Sequence, residues 1–214
     1  MEEFFDFIVV GAGSAGCTLA ARLAESPDPN HRVLLVEAGV DDRWIWIRIP
    51  TGVAKIVVGE RAMWRFQTEP DAALGGRDPL AAPEIRVNYL SHEADLRAFI
   101  RGLRYARGVA AQPALARHVV REMRPGPHVT SDEALADYLR RNIFSSYHPV
   151  GTCRMGHDAR AVVDSQLRVH GLLGLRVADA SVMPTIPASN INAAAIMAGE
   201  KAADMILQTA RSNR

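Results

Sequence analysis

The sequence predicts an α/β fold built on a parallel sheet, and two observations near its start carry that reading. Phe5 to Val10 is a short, nearly continuous apolar run that suits a parallel strand buried on both faces, and Val33 to Val36 is a second such run. Between them lies Gly11-Ala12-Gly13-Ser14-Ala15-Gly16, after which Gly16, Leu19, Ala20 and Leu23 recur at helical spacing. The two prolines of Pro27-Asp28-Pro29-Asn30 cannot continue that helix and close it. The order is strand, glycine turn, helix, strand.

Each part of this unit has a mechanical job. Gly11 allows the tight turn, Gly13 lets a pyrophosphate approach the backbone, and Gly16 lets helix and strand pack closely. Ser14 stands in this segment as a further cofactor-binding candidate, and the start of the following helix offers its first amides and positive dipole end to the phosphates. Glu37 follows the second strand, 21 residues beyond the third glycine, where an acid accepts hydrogen bonds from ribose hydroxyls. That pattern is a dinucleotide fingerprint. An acid at this point repels a 2′-phosphate, which disfavours NADP, and between NAD and FAD the fingerprint does not decide.

Composition narrows the class. The chain has 214 residues, 48% hydrophobic and 23% charged, enough for a buried core in one large domain or two small ones. Lys+Arg 25 against Asp+Glu 24 leaves a net charge of +1, so no broad field draws nucleic acid or an anionic membrane. The start, Met1-Glu2-Glu3, lacks the basic residues of a secretion signal, and no apolar run reaches the roughly 20 residues that a membrane-spanning helix needs. Cys17 and Cys153 read as free thiols, which sets the expectation of a reducing, cytoplasmic location.

No internal repeat is present. Gly39 to Gly76, with Trp44, Trp46 and Trp64, reads as loops with short elements, and Gly75-Gly76-Arg77-Asp78-Pro79 is the best domain boundary. Beyond it Leu96, Phe99, Ile100 and Leu103 share one helix face while Arg97, Arg101 and Arg104 form a solvated one. Thr130 and Glu133 read as a capping box for a helix that ends near Asn142. Leu167 to Val169 and Leu175 to Ala178 read as short strands around Gly171 and Gly174. The turn-rich stretch Met183 to Asn192 leads into an alanine helix with Ile196, Ala203, Ile206 and Leu207 on one face, placing Asn190 and Asn192 near its N-terminus as caps or as functional groups.

The segment Ser145 to Gly156 has no helical period and sets His148 before Pro149, which restricts the histidine's backbone. His31, His92, His118, His128, His157 and His170 stand in no motif. A metal site from His148, Cys153 and His157 matches no standard zinc spacing, so no metal is expected. A Ser-His-Asp hydrolase lacks the Gly-x-Ser-x-Gly turn, and Cys153 with His148 remains a candidate nucleophile pair that nothing in the sequence activates.

Five segments taken in order resemble the glucose-methanol-choline (GMC) oxidoreductases, a family of FAD-dependent alcohol-oxidising enzymes that includes choline dehydrogenase. They are Asp6 to Gly16, Leu34 to Gly39, Trp64 to Pro70, His148-Pro-Val-Gly-Thr-Cys-Arg-Met-Gly156, and Val177 to Pro184 through Asn190-Ile-Asn192. The resemblance selects FAD and implies a Rossmann-like FAD-binding domain. His148 matches the family's active-site histidine and Asn190 the position of its second histidine or asparagine. Asp179 and Ala180 match the stretch that meets the ribityl-pyrophosphate part of FAD, and Asn192-Ala193 the stretch beside the flavin pyrimidine ring.

The resemblance implies oxidation of the CH-OH group of an alcohol, with His148 as base, hydride transfer to flavin N5, and Asn190 orienting the oxygen. Oxygen or a quinone-like molecule is the electron acceptor. Family members are more than twice this length, and the region between Gly75-Gly76-Arg77 and Asp78 to Pro83 is missing here, most of the substrate domain with it. Expected segments are 1–77, the first part of the FAD-binding domain; 78–147, a helical remnant of the substrate domain; and 148–214, a catalytic segment returning to the FAD-binding domain. The return puts a strand near Leu175 to Ala178 into the parallel sheet and packs the last helix on the N-terminal unit. The alternative is a non-catalytic FAD- or nucleotide-binding remnant, covering its exposed apolar surface as a homodimer.

Overall fold

A computed structural model of the chain describes residues 3–28, 30–39, 43–45 and 88–212. They fall into two compact units, one from the stretches 1–55 and 146–214, the other from 56–145. The Trp64 to Pro70 segment, the turn cluster at Gly75 to Pro79 and a boundary at 77/78 lie outside the described residues.

The first unit begins with β1 (Phe7–Val10), α1 (Ser14–Ala24) and β2 (Val33–Val36). β1 and β2 pair in parallel from Phe7 opposite Val33 to Val10 opposite Val36, as expected of strands joined by a helix. Behind β1, Val9 and the α1 residues Ala20 and Leu23 form a core with Ala203 of the last helix, α5 (Ile191–Ser212). Full burial of Leu23 contributes about 2 kcal/mol. On the other face of β1, Ile8 is 62% and Val10 80% exposed, with no cover among the described residues, so the expectation of a strand buried on both faces is corrected.

α5 lies on α1 because both present small residues. Ala195, Ala198, Gly199, Ala202 and Ala203 are its buried positions, and a Cβ on Gly199 would sit 2.5 Å from the Ala15 carbonyl oxygen. Glycine is what lets the helices approach this closely. Arg22 of α1 fastens the contact, donating through Nε to Glu200 at 2.8 and 3.0 Å. The apolar face read from the sequence is corrected at Ile196, which is exposed, while Ala203, Ile206 and Leu207 do face the core.

The returning strand is also corrected. Leu167 to Val169 and Leu175 to Ala178 form isolated bridges, Val163 with Val169 and Arg168 with Arg176, and among the described residues the sheet has only β1 and β2. The reason is local: Leu167, Gly171 and Gly174 have φ of 63°, 79° and 74°, which end any extended run within a few residues. The Val177 amide bonds the Leu167 carbonyl at 3.1 Å instead of a sheet neighbour. Side chains of this stretch still reach the interior, where Val163, Leu167, Val182 and Ala202 form a core joined by Leu19, Val177 and Ala178.

In the second unit, α2 (Glu93–Ala110), the single turn α3 (Pro113–Ala116) and α4 (Asp132–Asn142) follow one another. Leu96 and Ile100 of α2 pack on Leu135, Ala136 and Leu139 of α4, with Leu103 and Tyr138 beside them. Phe99 is corrected to an exposed position, and Arg97, Arg101 and Arg104 are exposed as expected. The cap of α4 is also corrected, from Thr130 to Ser131, whose Oγ accepts the Ala134 amide at 3.2 Å. His92, which no sequence pattern marked, caps α2 by accepting the Ala94 amide at 3.3 Å.

Candidate functional site

The site lies within the first unit, where the glycine turn meets the start of α5. Gly11 has φ +96°, and a Cβ on Gly16 would sit 1.9 Å from the Gly11 carbonyl oxygen, so both positions require glycine. Gly13 is the N-cap of α1 and carries no side chain to fill the first-turn amides. Among the described residues a Cβ there would meet nothing within 4 Å, so glycine leaves the backbone open on this side. These donors suit an anion.

Glu37 turns back onto this loop. Its Oε2 accepts the Ala12 amide at 2.6 Å and its Oε1 the Gly39 amide at 2.5 Å. Those bonds, Ala12 first and Gly39 second, hold its carboxyl below the usual carboxylate range. Each oxygen keeps a further lone pair for a sugar hydroxyl.

Opposite the glycine turn, Ser14 Oγ donates to Asn192 Oδ1 at 2.6 Å. Asn190 precedes α5 and caps it, its Oδ1 accepting the Asn192 amide at 2.9 Å. The Nδ2 of Asn190 lies 3.2 Å from His148 Nε2. Ser14, Asn192, Asn190 and His148 therefore form one hydrogen-bonded line, although 134 positions separate its end members. Asn190 is thus a cap, and the other end of its side chain faces the histidine.

The segment after His148 is anchored along the turn that follows Asp179. The Cys153 amide bonds Ser181 O at 3.0 Å and the Met155 amide bonds Val182 O at 2.8 Å. Gly151, with φ +85°, passes beside the Met183 carbonyl. Asp179 Oδ1 caps the short 3-10 turn Ala180–Val182, accepting the Ser181 amide at 2.8 Å and its hydroxyl at 2.5 Å. Leu19 of α1 shares a core with Ala178 and Val182, the residues that flank this stretch. Ala193 is exposed on the first turn of α5.

A family model described as GMC oxidoreductase matches residues 72–199, more than half of the chain. The chain belongs to the GMC oxidoreductase family. A second model, an NAD(P)-binding Rossmann-like domain, matches residues 9–41 of this GMC chain. An oxygen-dependent choline dehydrogenase of Chromohalobacter salexigens is 50% identical over 142 residues, 66% of this chain and 25% of that protein. One from Escherichia coli O45:K1 is 50% identical over 130 residues, 61% and 23% of the two chains. Among solved structures, pyridoxine 4-oxidase from Mesorbium loti matches with TM-score 0.56 and 37% identity, over 60% of this chain and 25% of the other. An FAD-dependent oxidoreductase from Chaetomium thermophilum matches with TM-score 0.60 and 31% identity, over 63% and 23%. The GMC chain spans about a quarter of the length of the curated relatives it matches.

GMC oxidoreductases are FAD-dependent, and the residues present fit the pyrophosphate and ribose end of that cofactor. The observation is the cradle itself: an uncapped helix start, an uncovered backbone at Gly13 and an ionised Glu37 beside it. Among the described residues, no three His, Cys, Asp or Glu side chains group as metal ligands. Sequence reasoning missed Gly199, although a lone glycine within a run of alanines marks a close helix approach, and it missed Ala12 and Gly39 because backbone donors carry no residue signature.

Proposed function

We propose that this GMC chain is the cofactor-binding and histidine-bearing part of an FAD-dependent oxidoreductase that acts on the CH-OH group of an alcohol. The observation that carries this reading is the pairing of His148 with Asn190 at 3.2 Å, at the start of the helix whose second residue is tied to the glycine turn. Gly11, Gly13, Ser14 and Gly16 would hold the pyrophosphate, together with Asp179 and Ala180. Glu37 would accept from the ribose, and Asn192 and Ala193 in the first turn of α5 would meet the flavin ring. Bound FAD supplies the two-electron chemistry, accepting hydride from the alcohol carbon. His148 takes the hydroxyl proton at Nε2, and Asn190 holds the substrate oxygen in place.

Two names among the relatives, choline dehydrogenase and oxygen-dependent, support a small primary alcohol as substrate and oxygen over a quinone-like acceptor. The segments 1–77, 78–147 and 148–214 are proposed as FAD-binding start, substrate-domain remnant and catalytic return. Two free cysteines support a reducing cytoplasmic location, and no helix among the described residues is long and apolar enough to cross a membrane. A homodimer through the uncovered face of β1 is proposed as its assembly, to be checked by light scattering.

The second reading, a non-catalytic FAD- or nucleotide-binding remnant, is favoured by that same uncovered face at Ile8 and Val10. One experiment separates the two. Anaerobic addition of alcohol to the flavin-loaded chain bleaches the flavin absorbance if the chain is an enzyme, and leaves the spectrum unchanged if it only binds.

A further inference from the structure

We infer that Asn190 fixes the tautomer of His148 through the bond by which it caps α5, an inference that rests on the reading of His148 as the base. Among the described residues the side-chain amide of Asn190 has two partners, the Asn192 backbone amide at 2.9 Å and His148 Nε2 at 3.2 Å. A backbone N–H only donates, so the atom that faces Asn192 must be the amide oxygen, and the NH₂ group faces the ring. An NH₂ group also only donates. Nε2 is therefore the acceptor, and the neutral ring carries its proton on Nδ1. The reversed amide would set NH₂ against the Asn192 N–H, two donors face to face, and would strip the cap from α5.

The helix thus selects which ring nitrogen keeps a lone pair. Ser14 adds a second restraint, since its bond to Asn192 Oδ1 at 2.6 Å holds the residue whose amide orients Asn190. In the resting chain the Asn190 N–H occupies the Nε2 lone pair. An arriving hydroxyl displaces that donor and gives its proton to Nε2, while the amide, still held through Oδ1, turns its N–H toward the substrate oxygen. Asn190 is in this respect a positioning residue: the cap presets the base in its proton-accepting form before any alcohol arrives.

The test uses the full chain with ¹⁵N-labelled histidine, in alkaline buffer, and reads ring tautomers from long-range ¹H–¹⁵N correlations. The His148 signals are assigned by their absence in His148→Gln. Wild type is expected to show the Nδ1–H tautomer. Asn190→Asp keeps the cap, because Asp and Asn cap helices equally well, but it turns the donor facing the ring into an acceptor. The ring proton then moves to Nε2, and in flavin-loaded chain kcat falls by about tenfold or more with a smaller change in KM. Asn190→Ser keeps a cap and leaves nothing to choose the tautomer, so both forms are populated. An Nε2–H wild type, or an Asn190→Asp chain with the wild-type pattern, overturns the inference. Because the tautomer is read without FAD or turnover, a chain that oxidises no alcohol would defeat the oxidoreductase reading alone.

Discussion

Ser14 and Asn192, 178 positions apart in sequence, are joined by a hydrogen bond of 2.6 Å that ties the first turn of α1 to the first turn of α5. Two helix starts are thereby held side by side, which brings their positive dipole ends together. Replacing Ser14 by Ala removes this tie and costs about 1 kcal/mol. The expected result is an unchanged far-UV spectrum, a slightly lower melting temperature and a weaker hold on FAD. Equal FAD affinity in the two proteins would show that the tie does not position the cradle.

His148→Ala separates chemistry from binding. Its ring meets Asn190 and stands outside the glycine turn, so flavin content per chain should stay near wild type while turnover falls by about 10²-fold or more. Equal loss of flavin and turnover would make His148 a structural residue.

Gly16→Ala tests the cradle itself. The added Cβ would lie 1.9 Å from the Gly11 carbonyl oxygen, a contact that only backbone movement relieves. A loss of about 1–3 kcal/mol in urea unfolding is expected, with FAD binding lost along with it. Wild-type stability would mean that the turn can open without cost.

Glu37 sets a pH dependence whose sign follows from its bonds to Ala12 and Gly39, which lower its carboxyl pKa in the folded chain. A depressed folded value contributes stability above the unfolded pKa, near 4.3 for Glu, and that contribution is lost as pH falls through the folded value. The urea midpoint of wild type should therefore drop on acidification below about pH 4.3, and Glu37→Gln should show a shallower drop. Glu133, Asp158, Asp164 and Glu200 are shifted in the same direction and keep part of the slope in that variant. Parallel acid profiles would remove Glu37 from the loop's support.

FAD should bind weakly enough to be lost on dialysis. The residues proposed for its ribose and pyrophosphate end lie in this chain, which spans about a quarter of its relatives' length and is expected to offer less apolar wall to the flavin ring. Losing about 100 Å² of contact at roughly 25 cal/mol per Å² weakens binding more than tenfold. Flavin absorbance before and after gel filtration reads this directly, and a stoichiometric, retained flavin would refute it.

What the sequence made legible was local or carried by a motif. Gly11, Gly13, Gly16 and the apolar runs around them specify strand, turn and helix by steric rules within forty residues, and the structure keeps all three elements. His148 and Asn190 were legible by resemblance, and their meeting across 42 positions required coordinates. The returning strand was misread because Leu175 to Ala178 has strand-like side chains, while the positive φ angles at Gly171 and Gly174 decide its backbone. Ser131 took the cap from Thr130 because neighbouring hydroxyls offer the same chemistry one residue apart. Ile196 and Phe99 were misplaced because periodicity gives a face and not the partner that covers it.

The contact of Gly199 with Ala15 has a consequence for the order of events during synthesis. Ala20 and Leu23, though made early, are shielded by Ala203, so a nascent chain that ends before α5 holds β1, α1 and β2 with no lid over their apolar side. Pairing across so many intervening residues is slow and leaves apolar surface open to aggregation in the meantime. The unit that carries the phosphate cradle therefore keeps its apolar side at Ala20 and Leu23 bare until residues close to position 203 have been made.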